Sequence, residues 1–456
     1  MPDFQPAHLA RITGGEWHAV EPERIQGFCF DTRQIEPGDC FVALKSDARD
    51  GHDFVTDAAK KGASSAMTSR ALDENMPQLV VEDTLSAMGA IAADVRSQFS
   101  KPVIGITGSC GKTSTKEMLR LLLGPSATHA TAGNWNNRIG VPMTLFDLDP
   151  ARHDFAVIEA GINQPGEMGL LGAMIQADLT VLTNIGPAHL ELLGSLEGVA
   201  DEKSRLAEMS QANAPIILPA EALQYPAFSK MKGRAIAVQF DAGAKCPEAK
   251  EVVTCRVEPS ADGRTSRLWI DGRNYEVKSA SAGIARNAAL AIVAARTLGV
   301  ATADLAERIR QWQPEDTRGR VVATEGRHYY IDCYNANPAS MIDALQAFRH
   351  SAPEGLARCY VLGVMNELGG SAEKFHASVG EALRLRPQDR ALFVGPETLT
   401  SAYRRGAEAG GMSAAQLKSA ENIEGIESMV AEFQGALFLK GSRAYHLEKL
   451  LPESVS

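Results

Sequence analysis

Long apolar runs are missing from this sequence. Among its 456 residues no stretch approaches the roughly 18–20 consecutive apolar residues that span a bilayer, so no membrane-crossing segment is expected. Met1 to Gly14 lacks the basic start and apolar centre of an export signal, and a cytoplasmic location is expected. A basic excess is missing too: 46 Lys and Arg stand against 56 Asp and Glu, a formal net charge of -10. Nucleic-acid binding needs a cationic face to neutralise phosphates, so that class is set aside, and an anionic small substrate has to be met by local cations. Cysteine is sparse and scattered. Cys29, Cys40, Cys110, Cys246, Cys255, Cys333 and Cys359 form no Cys-x-x-Cys pair and have no histidine at zinc spacing. That argues against a structural zinc site and fits a reducing compartment. Internal repeats and low-complexity tracts are also lacking.

What is present is ordinary globular material. Hydrophobic residues make up 45% and charged residues 22%, enough for several cores, and at roughly 100–200 residues per domain the length suggests three domains. Short strand-like runs such as Cys40–Leu44 alternate with turn signals at Pro37-Gly38-Asp39 and Asp50-Gly51, and a helix is expected from Leu85 to Phe99. From Lys101 a new alternation begins, with strands at Val103–Ile106, Phe155–Ile158, Leu179–Leu182, Ile216–Leu218 and Ala235–Val238 separated by helical segments. That pattern reads as a doubly wound parallel sheet. Asp271-Gly272 inside Arg267–Val277 signals a hairpin, and a long helix follows from Ile284 to Leu298. Gln311–Asp316 reads as a linker, after which strands at Val321–Thr324, Tyr329–Asp332, Cys359–Leu362, Ala391–Val394 and Ala436–Leu439 form a further α/β unit. The expected division is 1–98, 99–315 and 316–456.

Thr107-Gly-Ser-Cys-Gly-Lys-Thr113 is the strongest local signal. It follows a strand and opens a helix, where backbone N–H groups and the helix N-terminus gather phosphate oxygens. Gly108, Ser109, Cys110, Gly111 and Ser114 supply the cradle, Lys112 reaches the terminal phosphates, and Thr113 offers its hydroxyl to Mg²⁺. The strict pattern has glycine where Ile106 stands, so the loop is the shortened form. Cys110 lies at a helix N-terminus, where reactive thiols occur, but no partner base accompanies it and it reads as loop filler.

The shortened loop resembles that of the Mur ligases and of the related folylpolyglutamate synthetases. Further segments match in order: Gly133-Asn-Trp-Asn-Asn-Arg-Ile-Gly-Val-Pro142, Glu159-Ala-Gly-Ile-Asn-Gln-Pro-Gly-Glu167, Thr183-Asn-Ile-Gly-Pro-Ala-His189, Asp332-Cys-Tyr-Asn-Ala-Asn-Pro338 and Leu439-Lys-Gly-Ser-Arg443. Near the start, Asp31-Thr32-Arg33 and Asp50–Phe54 resemble the family's uridine-nucleotide domain. Each piece is weak by itself; their ordered occurrence over nearly the whole chain is specific. The resemblance implies three domains: one for the UDP end, a central P-loop ATPase, and a Rossmann-like C-terminal domain that closes on ATP and the acceptor. It implies an ATP-dependent amide ligase working through an acyl phosphate, and the segment from Gly133 points to the branch that adds D-alanyl-D-alanine to UDP-N-acetylmuramoyl-tripeptide.

Individual roles follow from the same resemblance. Glu159 is an expected Mg²⁺ ligand, with a solvated strand-end carboxylate as the plain alternative. His189 is an expected ligand of a second Mg²⁺, although a lone loop histidine is more often a surface residue. Lys203 matches by position a lysine that several family members carry as a carbamate; by pattern alone it is a solvated helix lysine. Lys112, Lys203, His189 and Glu159 are the expected catalytic set. Asn287, Arg320, Asp332, Asn335 and Asn337 are expected at the nucleotide, with Asn337 also suited to cap the helix that starts at Pro338. Thr32, Arg33, Gly51, His52, Asn134, Asn136 and Asn137 are expected at the UDP-linked substrate, and Lys440, Ser442 and Arg443 at the growing peptide unless they form a loose basic turn. Gln164, Val364 and Asn366 depart from the family's segments and flank the acceptor region. A sister amino-acid ligase, a folylpolyglutamate synthetase-like ligase and a non-catalytic nucleotide switch remain the competing readings. ATP and Mg²⁺ are the expected cofactors, and a monomer is expected.

Overall fold

The structure is a computed structural model that describes residues 4–240, 248–261, 263–324 and 326–455; Cys246 lies outside them. Three sheets organise the chain. The first, of five strands, runs in the order Glu16–His18, Gln78–Val80, Ser65–Thr68, Asp39–Val42, Gly27–Cys29, and all but the first pair are parallel.

The central sheet has nine strands. From one edge they are Thr128–Ala130, Phe155–Glu159, Val103–Thr107, Leu179–Leu182, Ile216–Pro219, Ala235–Gln239 and Glu251–Pro259, all parallel, followed by the antiparallel hairpin Ser266–Ile270 and Arg273–Val277. The hairpin turns on Asp271 (φ 47°) and Gly272 (φ 77°), the paired left-handed residues of a type I′ turn, which explains the Asp-Gly signal. Val103–Thr107 pairs with Phe155–Glu159 on one side and Leu179–Leu182 on the other. Its carboxyl end is therefore at the point where strand order reverses, the usual place for a ligand crevice.

The two faces of this sheet are covered differently. On one, helix Thr84–Gln98 packs Met88, Ile91 and Val95 together with Val141, Leu145, Met168 and Leu171, so the first unit and the central sheet share a core. Arg96 pins this seam. Its buried guanidinium donates to the carbonyls of Ile175, Gln176 and Phe99 and pairs with Asp178 at 2.7 Å, leaving little of its charge unmatched. On the other face lie the phosphate-loop helix Lys112–Leu123 and helix Ala282–Thr297. The second carries buried alanines at 285, 288, 289, 291, 294 and 295. Side chains this small let two helices approach closely, which brings Asn287 against the phosphate loop.

The C-terminal sheet has six strands in the order Arg320–Thr324, Arg327–Asp332, Gly435–Lys440, Arg358–Gly363, Arg390–Val394, Leu417–Ala420, with only the first pair antiparallel. The α/β class and the main strands agree with the sequence. Several strands have no counterpart in the sequence reading, among them Thr128–Ala130 at the edge of the central sheet. Glu251–Pro259 exposes most of its length, and Leu417–Ala420 is a polar edge strand. Trp312, in the expected linker, is buried in the central core. No helix among the described residues is long and apolar enough to cross a membrane.

Candidate active site

A cavity of about 840 Å³ opens at the carboxyl end of the central sheet, lined by Ser109 to Ser114, by Asn134, Asn136, Asn137, Glu159, His189 and Asn287, and by C-terminal residues Asp332, Asn335, Asn337 and Lys440. The phosphate loop forms its floor. Helix Lys112–Leu123 begins at Gly111 with no side-chain cap, so its first N–H groups are left for an external acceptor. Lys112 Nζ folds back to donate to the Gly108 carbonyl at 3.0 Å. Cys110 is held by Asn184, whose Oδ1 accepts from its N–H and whose Nδ2 donates to Sγ at 2.9 Å. Burial pushes its thiol pKa up, so the thiolate needed for nucleophilic chemistry is disfavoured.

Gly111 is required on two counts. Its φ is 79°, and a Cβ there would lie 2.3 Å from Asn287 Nδ2. Left-handed backbone at a non-glycine residue costs about 1–3 kcal/mol, and the collision adds to it. Gly111→Ala is expected to weaken nucleoside-triphosphate binding by about tenfold or more, read by calorimetry. Unchanged affinity would remove this loop from the site.

Above the loop stands Glu159, at the end of its strand and 1% exposed. Thr113 Oγ1 donates to Oε2 at 2.9 Å, and Asn136 Nδ2 donates to Oε1 at 2.7 Å. Both oxygens are used, yet neither partner carries charge, so among the described residues the buried carboxylate has no cation paired with it. Thr113 and Glu159 are hard oxygen donors of the kind Mg²⁺ takes. Among the described residues no group of three acidic, histidine or cysteine side chains forms a full cage, which suits an ion held by one or two carboxylates and a substrate phosphate.

Lys203 is not solvated. It lies on helix Leu196–Glu208 and is 2% exposed, on the face shared with Val199, Leu206 and Ala207. Burial first, then the nearby Lys112 ammonium, bring its pKa down to about 7. The neighbouring Glu202 caps helix Glu167–Ile175, accepting from the N–H groups of Gly166 and Met168. His189 adopts φ 54° and its Nδ1 pairs with Glu367 at 2.7 Å, holding that carboxyl below its usual range.

The C-terminal unit meets the cavity through several groups. Lys440 is buried and donates to Asp332 at 2.6 Å and to the Asn335 carbonyl at 3.1 Å, so it belongs to no loose turn. Asn337 caps helix Pro338–Ser351 by accepting from the Ser340 N–H. Asp343, on that helix, accepts from Ser281 Oγ at 2.5 Å and from the Gly283 N–H at 3.1 Å, capping the helix that carries Asn287.

Some expected residues are elsewhere. Arg320 turns to Asp316 at 2.8 Å; Arg318 lines the cavity instead, stacked 3.8 Å over the Tyr334 ring. Ser442 accepts from the Asn366 N–H, and Arg443 pairs with Glu448. Val364, where the family's segment has aspartate, is fully buried and packs beside Gly395, and Gln164 is exposed with its N–H donating to Glu167. In the first unit Arg33 forms a bidentate pair with Asp31 and stays exposed, holding the Asp31 pKa at about 2. Thr32 reaches Asp57. His52 is buried: Ser69 N–H donates to Nε2 at 2.8 Å, which leaves Nδ1–H to donate to Asp50 at 2.5 Å. Gly51 passes so close to Leu44 that a Cβ would lie 2.5 Å from its carbonyl oxygen. This loop region does approach the cavity rim, because Phe30 contacts Trp135 with ring centroids 6.2 Å apart.

The site residues that the sequence did not suggest are Arg286 and Phe240, with the guanidinium 4.6 Å over the ring, together with Arg318, Asp343 and Glu367. The arginines carried a signal through their place beside Asn287 and the linker, and Glu367 through its place next to Asn366.

The pattern of the Mur ligase middle domain matches residues 106–295, and that of the Mur ligase glutamate ligase domain matches 317–442. The UDP-N-acetylmuramoyl-tripeptide--D-alanyl-D-alanine ligase of Escherichia coli K12 is 33% identical over 98% of this chain and 97% of its own. Its Synechocystis counterpart is 33% identical over 85% of this chain and 83% of its own. Among solved structures, MurF from Acinetobacter baumannii superposes with a TM-score of 0.86 at 30% identity, covering 99% of this chain and 98% of that one. MurF from Thermotoga maritima in complex with ADP gives 0.77 at 25% identity, covering 93% and 95%.

Proposed function

The chain belongs to the Mur ligase family, and from that premise we propose that it joins D-alanyl-D-alanine to UDP-N-acetylmuramoyl-tripeptide, converting ATP to ADP and phosphate, in peptidoglycan precursor synthesis. The observation that carries this reading is one cavity in which the phosphate loop, the buried Glu159, the Asn134–Asn137 loop and the C-terminal Asp332, Asn335 and Asn337 converge. Residues 1–98 are read as the unit for the UDP end, 99–315 as the ATP-binding ligase unit and 316–456 as the unit that closes on nucleotide and acceptor. A cytoplasmic monomer belongs to the same reading.

The chemistry needs two charge-gathering steps. The terminal carboxylate of the tripeptide attacks the γ-phosphorus of ATP and ADP leaves, giving an acyl phosphate. The neutral amine of D-alanyl-D-alanine then attacks the acyl carbon, loses a proton and displaces phosphate. Lys112 and the open N-terminus of its helix hold the phosphate oxygens through the first step. Asn136, fixed on Glu159, and Asn134 present amide groups to the peptide, each offering donor and acceptor. Asp332, oriented by Lys440, accepts from ribose hydroxyls. Thr113, Glu159, His189 and a carbamylated Lys203 would hold Mg²⁺, which when bound supplies positive charge against the phosphates. Thr32, Arg33 and the Gly51-His52 turn frame the UDP end through backbone groups, since the Arg33 and His52 side chains are already engaged.

Phosphate release from ATP, measured against a panel of UDP-muramyl peptides and amine acceptors, tests the assignment. Release is expected with tripeptide and D-alanyl-D-alanine together. Turnover of free L-amino acids, or of glutamate with a folate, would move the chain to a sister activity; nucleotide binding without acceptor-dependent release would make it a switch.

A further inference from the structure

Lys116 is among the most buried large side chains of the protein, at 1% exposed, and nothing in the chemistry above uses it. It lies one turn beyond Thr113 on the phosphate-loop helix. Its Nζ donates to the Thr131 carbonyl at 2.7 Å and to the Gly133 carbonyl at 3.4 Å, and pairs with Glu117 at 3.0 Å. Two carbonyls and a carboxylate thereby surround the ammonium. A buried cation is an expensive way to fill space, because an apolar side chain of similar length packs without the desolvation cost.

What the cation holds is the start of the substrate loop. Residues 132–135 are exposed, so packing does little to fix them. Thr131, by contrast, is tied on three sides. Its N–H donates to Val157 O, its carbonyl accepts from Lys116, and its Oγ1 accepts from the Glu159 N–H at 2.9 Å. Beyond the turn, Asn136 donates to Glu159 and accepts from the Gly161 N–H at 2.8 Å. Gly161 has no room for more: a Cβ there would lie 2.8 Å from Asn136 Cγ. The contacts close a ring from the phosphate-loop helix through Lys116, Thr131 and Glu159 back to Thr113, with Asn136 tied to the same carboxylate.

We propose that Lys116 is a positioning residue that fixes the turn Thr131–Gly133 and thereby sets the Asn134–Asn137 loop for the UDP-linked donor. The assignment of that loop to the donor rests on the function proposed above. The phosphate cradle itself does not depend on the turn, so loss of the contact falls on the donor and spares ATP.

The test uses the full chain with Lys116→Met, which keeps the stem and removes the donors, and Lys116→Arg, which keeps them. Hydrogen bonds from a charged group contribute about 1.5–3 kcal/mol, so Lys116→Met is expected to raise the donor KM by about tenfold or more. The KM for ATP is expected to stay within about threefold, and Lys116→Arg to recover most of the loss. Equal rises in both KM values, a fall in kcat alone, no recovery in Lys116→Arg, or no change overturns the proposal. Should Lys116→Met fail to fold, Lys116→Gln, which removes the charge and shortens the reach to the two carbonyls, takes its place, and the same donor-selective rise decides. Failure of the function itself is separable, because wild type is measured first with the tripeptide. If it accepts a different UDP-muramyl peptide, the KM split is read on that peptide, and if it binds none, the proposal is overturned with the function.

Discussion

Replacing Lys203 with alanine is expected to lower kcat by about a thousandfold, with part of the activity restored by a short carboxylic acid such as formate. The reasoning begins with burial. A lysine in the apolar face of helix Leu196–Glu208, close to the Lys112 ammonium, is poorly suited to carry charge, and its pKa falls to about 7. The neutral amine that results is the form that attacks CO₂, forming an N–C bond and releasing a proton to give a carbamate. That converts a cation into an oxygen donor suited to Mg²⁺. The sign in pH is fixed. The folded pKa is lower than the unfolded one, so between about 7 and 10.5 the unfolded chain holds more protons and stability from this group rises with pH. Carbamylation rises through the same lower bound, so activity is expected to increase through about pH 7 and to fall when CO₂ is stripped from the buffer. Full activity of Lys203→Ala without additives, or indifference to CO₂ together with an unmodified lysine by mass spectrometry, would remove Lys203 from the metal site.

That burial shows where a sequence reading stops. Lys203 was readable as a solvated lysine because lysines usually are. Val199, Ala200, Leu206 and Ala207 surround it at helical spacing, however, and place it in the middle of an apolar stripe. The stripe was the available signal, and only the family resemblance suggested using it. The phosphate loop and the hairpin at Asp271-Gly272 were plain because glycine at fixed offsets has few uses there. Strand Glu251–Pro259 was hidden by its exposed, charged face, and Leu417–Ala420 by its polar edge. Side-chain pairings were hardest to foresee. Arg33 is held by a residue two positions away, His52 by Asp50 and Ser69, and Arg320 by Asp316. In each case local geometry decides between a free cation and a satisfied one, and composition carries no trace of it. The meeting of Asp343 with Ser281 and Gly283, or of Glu367 with His189, depends on how the C-terminal sheet docks, which no local pattern specifies.

The other large effect is expected at Glu159. Glu159→Gln keeps shape and volume while removing the charge, and it turns one acceptor into a donor. Asn136 Nδ2 and Thr113 Oγ1 both donate to the carboxylate now; with the new amide nitrogen toward Thr113 the hydroxyl can turn and accept, whereas toward Asn136 two N–H groups face each other and the bond is lost. A lost hydrogen bond at a buried site costs about 1–3 kcal/mol. Against that cost stands a gain, since a buried carboxylate with no cation beside it is itself destabilising when no metal is bound. The two oppose each other, and the metal-free variant is expected to melt near the wild-type temperature. Mg²⁺ with nucleotide separates the two proteins. A ligand that binds only the folded state raises its stability by RT ln(1 + [L]/Kd), so wild type should gain several degrees when Mg²⁺ is added to its ATP complex. Glu159→Gln should gain little, and acceptor-dependent phosphate release should fall by about a thousandfold. A variant that retains the full Mg²⁺-dependent rise in melting temperature would show that Glu159 orders Thr113 and Asn136 without holding the ion.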